Sequence, residues 1–179
     1  MGISKDSKKD TKPEQAKKPN LTKISKIPEP LNTATDERWA CQKCGLFTRC
    51  KAPFTRPEVP EDWTGKVLIV GEGPVEHADG THSVFDRRAK KLLRNLWEGA
   101  GYRDNDIAMV SSVRCSHGVK TAPSMTQIRA CRPYLLKVIK TLGPKYIIAA
   151  GATAFRALRN DGNTNITRNR GKDFGGEIL

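Results

Sequence analysis

The sequence lacks long hydrophobic runs, and its apolar segments are far shorter than the roughly 18 residues of a membrane-spanning helix. The lysine-rich N-terminus lacks the apolar core of a secretory signal peptide. The chain also contains no internal repeat. The lack of a membrane-spanning run and of a signal peptide predicts a cytoplasmic protein without a membrane partner.

Residues 1–34 lack what a folded core requires. This segment contains no aromatic residue and almost no periodic apolar pattern, and four prolines are scattered among its lysines. Such a composition cannot bury enough apolar surface to offset the entropy that is lost on ordering. We therefore expect a disordered basic arm over residues 1–34, followed by one globular domain over residues 35–179.

The sequence has a strong excess of positive charge, with a net charge of +13. Residues 1–30 contribute +4 of this, so the remainder of the chain carries +9. A globular part that is basic in its own right favours polyanionic partners, above all nucleic acid. The alternative is a basic protein whose charge serves solubility only.

Short apolar runs typical of strands alternate with longer periodic runs typical of helices. The predicted strands cover residues 67–70, 107–113 and 145–150, and the predicted helices cover residues 86–100, 124–142 and 152–159. The first helix is amphipathic, with Leu92, Leu93, Leu96 and Trp97 on its apolar face. Pro133 predicts a kink or a break in the second helix. This alternation predicts an α/β fold, a three-layer αβα sandwich whose mainly parallel sheet is covered on both faces.

The segment that follows the first predicted strand is a candidate ligand loop. Glycines at positions 71, 73 and 80 lie among acidic residues at positions 72, 76 and 79. Glycine lets a ligand approach the backbone closely, and ligands of open α/β sheets bind at the carboxyl ends of the strands. The alternative interpretation is an ordinary connection between a strand and a helix.

Five cysteines in an intracellular chain indicate metal binding or free thiols before disulfides. Cys41 and Cys44 form a C-x2-C pair, whereas fifteen residues separate Cys115 from Cys131. Four thiolates can hold a zinc ion or an iron–sulfur cluster. Zinc ribbons usually pair two short C-x2-C motifs, and the second pair here is not short. Four unrelated buried thiols are the remaining interpretation.

Several motifs together resemble the iron–sulfur uracil-DNA glycosylases of family 4, a branch that is related to a domain of a bacteriophage DNA polymerase. The motifs are GEGPVEHADGTHSVF from residue 71, VRC at residues 113–115, the cysteine at position 131 and TRNRG at residues 167–171. The resemblance implies the three-layer fold of that superfamily. It also implies a [4Fe-4S] cluster on Cys41, Cys44, Cys115 and Cys131, with Cys50 left over.

The chemistry that the resemblance implies is excision of uracil from single- or double-stranded DNA. The deoxyuridine is flipped out, and a positioned water attacks the sugar as the N-glycosidic bond breaks. By position, the acidic Glu72 and Asp79 are candidate catalytic residues. The resemblance assigns substrate binding to the following positions: Gly71, Gly73, Phe85 and Ser111.

This chain also departs from the family pattern. Ser111 stands where the family carries the asparagine that reads the uracil edge, Val75 replaces a loop glycine and Ala78 replaces a carboxylate. A hydroxyl cannot span both a donor and an acceptor as an amide does. The family's HPS segment, whose histidine stabilises the leaving uracil anion, would follow the RG pair, and the sequence has no HPS after it.

The histidines at positions 77, 82 and 117 all lie in predicted loops, where we expect surface side chains rather than substitutes for that catalytic histidine. These departures favour an iron–sulfur DNA-binding domain of the superfamily, acting in DNA repair or replication alongside other proteins, with little or no uracil excision. An active uracil-DNA glycosylase is the alternative. A nucleic-acid-binding module stabilised by a bound zinc ion is a weaker alternative.

Overall fold

A computed structural model describes residues 41–50, 55–76, 82–117, 121–163 and 165–175. Within these ranges, positions 49, 76 and 82 are described by their backbone alone. The predicted basic arm, the candidate catalytic Asp79 and the histidine at position 77 lie outside the described residues.

The described strands form one parallel sheet and one small antiparallel ladder. They are β1 (Val67–Gly71), β2 (Val75–Glu76), β3 (His82–Ser83), β4 (Ile107–Ser111) and β5 (Tyr146–Ala149). The parallel sheet has the order β4-β1-β5, and β2 pairs with β3 within the candidate ligand loop. The three predicted strands are therefore confirmed, although β4 ends two residues before its predicted boundary.

The described helices are α1 (Arg87–Gly99), α2 (Met125–Leu142), α3 (Ala152–Arg159) and α4 (Ile166–Asn169). The Asp86 carboxylate caps α1 by accepting from the backbone N–H of Ala89. Ser124 and Gln127 form a reciprocal capping box at the start of α2. Gly143 ends that helix with a φ of 56°, a left-handed conformation that suits glycine. Local sequence thus determines where these helices begin and end.

α2 is a single continuous helix through Pro133, so the predicted break is wrong. Proline removes one backbone donor, but a helix with a well-buried face keeps most of its stability from tertiary packing. Ile128 and Leu135 on either side of the proline are each only 1% exposed. Packing along this face outweighs the local cost of the proline.

The sheet lies between helices on its two faces. Leu68 and Val70 of β1 belong to a core cluster with residues of α2 and α3, whereas Val67 and Ile69 pack with Trp97 of α1. This division follows from the two-residue alternation of side chains along a strand. The structure therefore has the three layers expected of an α/β sandwich, with β1 buried at its centre.

The prediction that the third strand is buried on both faces is wrong. Tyr146 and Ile148 of β5 are 51% and 49% exposed. β5 lies at the edge of the described sheet, and no described helix covers its α1 side.

The predicted apolar face of α1 is only partly buried. Leu92 and Leu96 are 61% and 60% exposed, so this face reaches the core mainly through Trp97.

None of the helices in the described ranges combines the length and the apolar character that a membrane crossing requires.

Candidate active site

The candidate site lies at the carboxyl ends of β1 and β4. Gly71 and Ser111 are paired across these two strands. The Gly71 carbonyl accepts hydrogen bonds from the Ser112 backbone N–H at 2.9 Å and the Ser112 hydroxyl at 2.6 Å. The backbone N–H of Val113 donates to the Glu72 carbonyl at 3.1 Å. These bonds extend the strand pairing beyond the regular ladder and hold the two loops side by side.

The ring of Phe85 packs directly against the backbone of Gly71. A Cβ atom at Gly71 would lie 2.9 Å from the Phe85 Cζ atom and 3.2 Å from a Val84 methyl group. No larger residue fits unless the ring moves, which explains the glycine in physical terms. Phe85 is half-buried and also packs on the cluster around Trp97. Its ring therefore serves the core and still borders the site.

Ser111 lies on the same side of the sheet as Phe85. Along β4 it alternates in phase with Ile107 and Met109, which pack on the α1 side. Its side chain is 3% exposed, and its buried hydroxyl has no hydrogen-bond partner among the described residues. A buried hydroxyl without a hydrogen-bond partner costs free energy, and a polar ligand that pairs with this oxygen recovers that cost.

Glu58 anchors the segment that leads into Phe85. Its carboxylate accepts hydrogen bonds from the Ser83 hydroxyl and the Val84 backbone N–H, each at 2.8 Å, and pairs with Lys90 of α1 at 2.5 Å. Burial acts to raise the pKa of Glu58, but these hydrogen bonds and the charge of Lys90 outweigh burial and lower the pKa. The ring of Phe85 is thus held by an ionised anchor that sequence reasoning did not identify.

The Glu58 backbone also bridges the outer edge of β4, since it exchanges two hydrogen bonds of 2.8 Å with Met109. Beside this bridge lies a cleft of about 560 Å³ between α1 and the edge of β4. Four basic residues contribute to its lining: Arg87, Lys90, Lys91 and Arg94. Two of them pair with acidic residues of the same lining, Lys90 with Glu58 and Arg94 with Asp104, so the cleft carries a modest excess of positive charge.

The Glu72 carboxylate lies on the other side of the site, toward α3. Its Oε2 atom accepts a hydrogen bond of 2.6 Å from the Thr153 hydroxyl, and its Oε1 atom lies 3.5 Å from His117 Nε2. The Glu72 side chain is 45% exposed and that of His117 is 12% exposed. The prediction that His117 is a surface histidine is therefore wrong.

Gly73 explains how His117 reaches this position. A Cβ atom at Gly73 would lie 2.7 Å from His117 Cδ2 and 3.1 Å from a Val113 methyl group. The imidazole therefore occupies the space that a side chain at position 73 would need. No local pattern in the sequence indicates this contact.

The predicted site residues thus fall into two neighbouring groups. Gly71, Phe85 and Ser111 lie together on the α1 side, whereas Glu72 is turned toward Thr153 of α3. Gly73 provides space for a histidine, a role that the resemblance did not imply. A half-exposed carboxylate at the end of β1 can position a water molecule.

The cysteines lie near one another at the edge of the main core. Cys115 and Cys131 are 4% and 5% exposed, and Cys44 packs against the same core cluster. Burial, together with the neighbouring thiols of Cys44 and Cys41, raises the pKa of Cys131 to about 11. Cys41 and Cys44 therefore lie near Cys131.

Other groups also face these thiols. The Arg114 backbone N–H donates to the Cys131 sulfur and acts to lower its pKa. The Tyr134 hydroxyl lies 3.9 Å from the Cys41 sulfur. Within the described ranges, no three histidine, cysteine or acidic side chains are grouped as ligands of a single metal ion. Cysteine thiols with hydrogen-bond donors beside them have the chemistry that a thiolate-ligated centre requires.

Comparison with known proteins agrees with this geometry. Residues 57–178 match the model of the Uracil DNA glycosylase superfamily. A type-4 uracil-DNA glycosylase of Thermotoga maritima is 34% identical over 106 residues, which cover 59% of this chain and 55% of the relative. One from Pyrobaculum aerophilum is 32% identical over 120 residues, covering 66% and 59% of the two chains.

A third relative, the type-4 uracil-DNA glycosylase of Saccharolobus solfataricus, is 32% identical over 124 residues, which cover 68% of this chain and 55% of the relative. The chain therefore spans somewhat more than half the length of these curated relatives. The family match covers most of the described fold and includes the candidate site. The resemblance that the motifs predicted is confirmed: this chain belongs to the uracil-DNA glycosylase superfamily.

Proposed function

We propose that this chain is a DNA-repair domain that receives a deoxyuridine rotated out of the DNA strand. The uracil occupies the pocket formed by Gly71, Phe85 and Ser111 at the carboxyl ends of β1 and β4. The observation that carries this proposal is the Ser111 hydroxyl, which is buried, lacks a partner among the described residues and lies at the end of β4.

The pocket chemistry supports a flipped base as the ligand. A nucleobase offers donors and acceptors at its edge, and pairing a buried hydroxyl recovers about 1–3 kcal/mol of desolvation penalty. An aromatic ring beside the pocket provides a surface for base stacking. The Glu58 anchor fixes the backbone just before Phe85, so little ordering of that ring is needed on binding.

Positive charge supports DNA as the larger partner. The basic cleft along α1 borders the base pocket, and the net charge of +13 attracts phosphates. The basic arm over residues 1–34 adds phosphate contacts in this proposal. The domain works in the cytoplasm, with other repair or replication proteins as further partners.

A [4Fe-4S] cluster on Cys41, Cys44, Cys115 and Cys131 completes the proposal. The arrangement of thiols at the edge of the core supports this ligand set. When bound, such a cluster supplies covalent cross-links between distant parts of the chain and a centre capable of electron transfer. The base pocket itself is built by β1, β4 and the segment before α1.

Binding to matched oligonucleotides tests base recognition. One contains a single C-nucleoside analogue of deoxyuridine, whose carbon–carbon glycosidic bond resists hydrolysis, and the other contains thymidine at that position. We expect tighter binding to the uracil analogue, and we expect Phe85→Leu to weaken binding of that analogue by about 1–3 kcal/mol, because a stacking surface is lost. Phe174→Leu, at a ring that packs on Phe155 instead, is the control. Equal affinity for both oligonucleotides would refute the proposal.

Glu72 favours a second function, hydrolysis of the N-glycosidic bond. The oxygen of a water molecule held by Glu72 attacks C1′ of the sugar, and the water's proton passes to the carboxylate. The C1′–N1 bond breaks and its electron pair leaves on uracil N1, which then takes up a proton. The products are uracil and an abasic deoxyribose. The half-exposed and doubly contacted carboxylate supports this role.

Single-turnover excision of uracil, with protein in excess over oligonucleotide, tests hydrolysis. Glu72→Gln should slow excision by about a hundredfold or more if the carboxylate acts as a general base. Glu61→Gln, at an exposed position, should leave the rate unchanged. If the unaltered protein binds the uracil analogue selectively but excises no uracil, base recognition stands and the hydrolytic function is refuted.

A further inference from the structure

We infer that His117 and Thr153 are positioning residues that hold the Glu72 carboxylate in the orientation needed for hydrolysis. This inference rests on the hydrolytic function proposed above. Glu72 follows directly after β1, and two segments distant in sequence contact its side chain: the loop after β4 and the first turn of α3. Nothing in the sequence pattern of any one segment indicates this convergence.

Thr153 holds one oxygen of the carboxylate. Its side chain is 2% exposed, and its hydroxyl donates to Glu72 Oε2 over 2.6 Å. Because Thr153 lies in the first turn of α3, its position is fixed by a helix that packs on the core. A short hydrogen bond from a buried, rigidly mounted donor orients a carboxylate with little loss of entropy.

His117 contacts the other oxygen. Its Nδ1 atom lies 2.6 Å from the Thr121 carbonyl oxygen, which can only accept, so Nδ1 carries hydrogen. The opposite ring atom, Nε2, lies 3.5 Å from Glu72 Oε1, so the ring limits the movement of the carboxylate by contact. The absence of a side chain at Gly73 leaves room for the ring beside the loop backbone. The position of the imidazole is therefore set by the Thr121 carbonyl and by the space at Gly73.

The contacts with Thr153 and His117 together limit the rotation of the Glu72 carboxylate. The Glu72 side chain remains 45% exposed, so each oxygen keeps a lone pair that can accept from water. A carboxylate held in this way presents its free lone pairs in one fixed direction. A misplacement of about 1 Å can cost about a hundredfold in rate, so residues that prevent such movement affect the rate without touching substrate.

Paired variants of the full-length, cofactor-loaded protein test this inference. Thr153→Val removes the donor and keeps the shape, whereas Thr153→Ser keeps the donor. His117→Ala removes the ring beside Gly73, whereas His117→Phe keeps a ring there. The measurement is single-turnover uracil excision, with the maximal rate constant and the protein concentration at half-maximal rate determined separately.

We expect Thr153→Val and His117→Ala each to lower the maximal rate constant by about 10- to 100-fold, with an unchanged half-maximal concentration. Thr153→Ser and His117→Phe should recover part of the loss. Equal maximal rates in all four variants of an active protein would overturn the positioning role alone. No excision by the unaltered protein would overturn the hydrolytic function itself.

Thermal stability tests the contact between position 73 and His117 independently of activity. Gly73→Ala should lower the melting temperature by about 3 °C or more, because the new methyl group meets the imidazole. His117→Ser should relieve much of that loss in the double variant, although the Val113 contact remains. Strictly additive losses would show that the ring does not lie on Gly73 and would overturn the inference.

Discussion

Ser111 lies directly across from Gly71 in the parallel pairing of β4 with β1, and its hydroxyl is buried beside a glycine that leaves space for a ring. Removal of this hydroxyl should weaken binding of the uracil analogue without lowering the free energy of unfolding. Ser111→Ala should leave the free energy of unfolding unchanged or raise it by up to about 1 kcal/mol, because an unsatisfied polar group disappears.

The same variant should bind the uracil analogue about fivefold more weakly, which corresponds to about 1 kcal/mol. Ser111→Asn should bind the uracil analogue more tightly, because an amide offers both a donor and an acceptor. Chemical denaturation and fluorescence anisotropy provide the two measurements. Weaker stability together with unchanged binding in Ser111→Ala would show that the hydroxyl has a structural partner instead.

The proposed cluster predicts a brown protein with about four irons and inorganic sulfide per chain after anaerobic purification. Cys41→Ala should lower the iron content and the melting temperature, because the loss of a ligand releases one end of the domain. Cys50→Ala is the matched control, since its thiol contacts the Phe47 carbonyl at 3.5 Å and is outside the proposed ligand set. A colourless protein that carries one zinc and no sulfide would favour the zinc alternative.

The basic arm should contribute to DNA affinity through phosphates. Deletion of residues 1–30 removes a net charge of +4. The slope of log affinity against log salt should become shallower by about 1 for each phosphate that the arm neutralises. An arm of equal length with glutamine in place of lysine distinguishes charge from tethering. An unchanged slope in both variants would mean that the arm makes no phosphate contacts.

Asp106 should make the fold sensitive to acid. Burial acts to raise its pKa, but hydrogen bonds from Lys66, Thr64 and the Arg103 backbone N–H outweigh burial and lower the pKa from 3.8 to about 2. Below pH 3.8 the unfolded chain takes up the proton first, so stability falls between about pH 4 and pH 2. The difference between these pKa values corresponds to about 2 kcal/mol.

Asp106→Asn should therefore be less stable than the unaltered protein at neutral pH, and the difference between the two should shrink as the pH falls through this window. Taking the difference cancels any acid effect that both proteins share. Asp62→Asn, at an exposed carboxylate, is the control. A stability difference that stays constant between pH 5 and about pH 2 would contradict the assignment.

Patterns local in sequence predicted much of the fold. The apolar run at residues 67–70 became the central strand, and the bounds of α3 agree with the predicted helix over residues 152–159. Gly71 ends that strand, and the interpretation of residues 71–85 as a ligand loop stays a prediction. These features depend on periodicity and on glycine chemistry, which a single sequence displays.

Features that depend on distant contacts could not be predicted. His117 lies beside Glu72 because β1 and β4 are neighbours in the sheet and because Gly73 leaves room, and neither fact is local. The exposure of Tyr146 follows from the edge position of β5 rather than from its apolar run. Pro133 lies within a continuous helix because packing outweighs a local propensity.

Base flipping is the central claim, and the fluorescence of 2-aminopurine placed next to a single deoxyuridine in duplex DNA tests it most directly. When the uracil leaves the stack, the neighbouring 2-aminopurine loses a stacking partner and its fluorescence rises. We expect this rise with the unaltered protein on the uracil duplex, a smaller one with Phe85→Leu and none on the matched thymine duplex. Equal signals from the uracil and thymine duplexes would contradict the account.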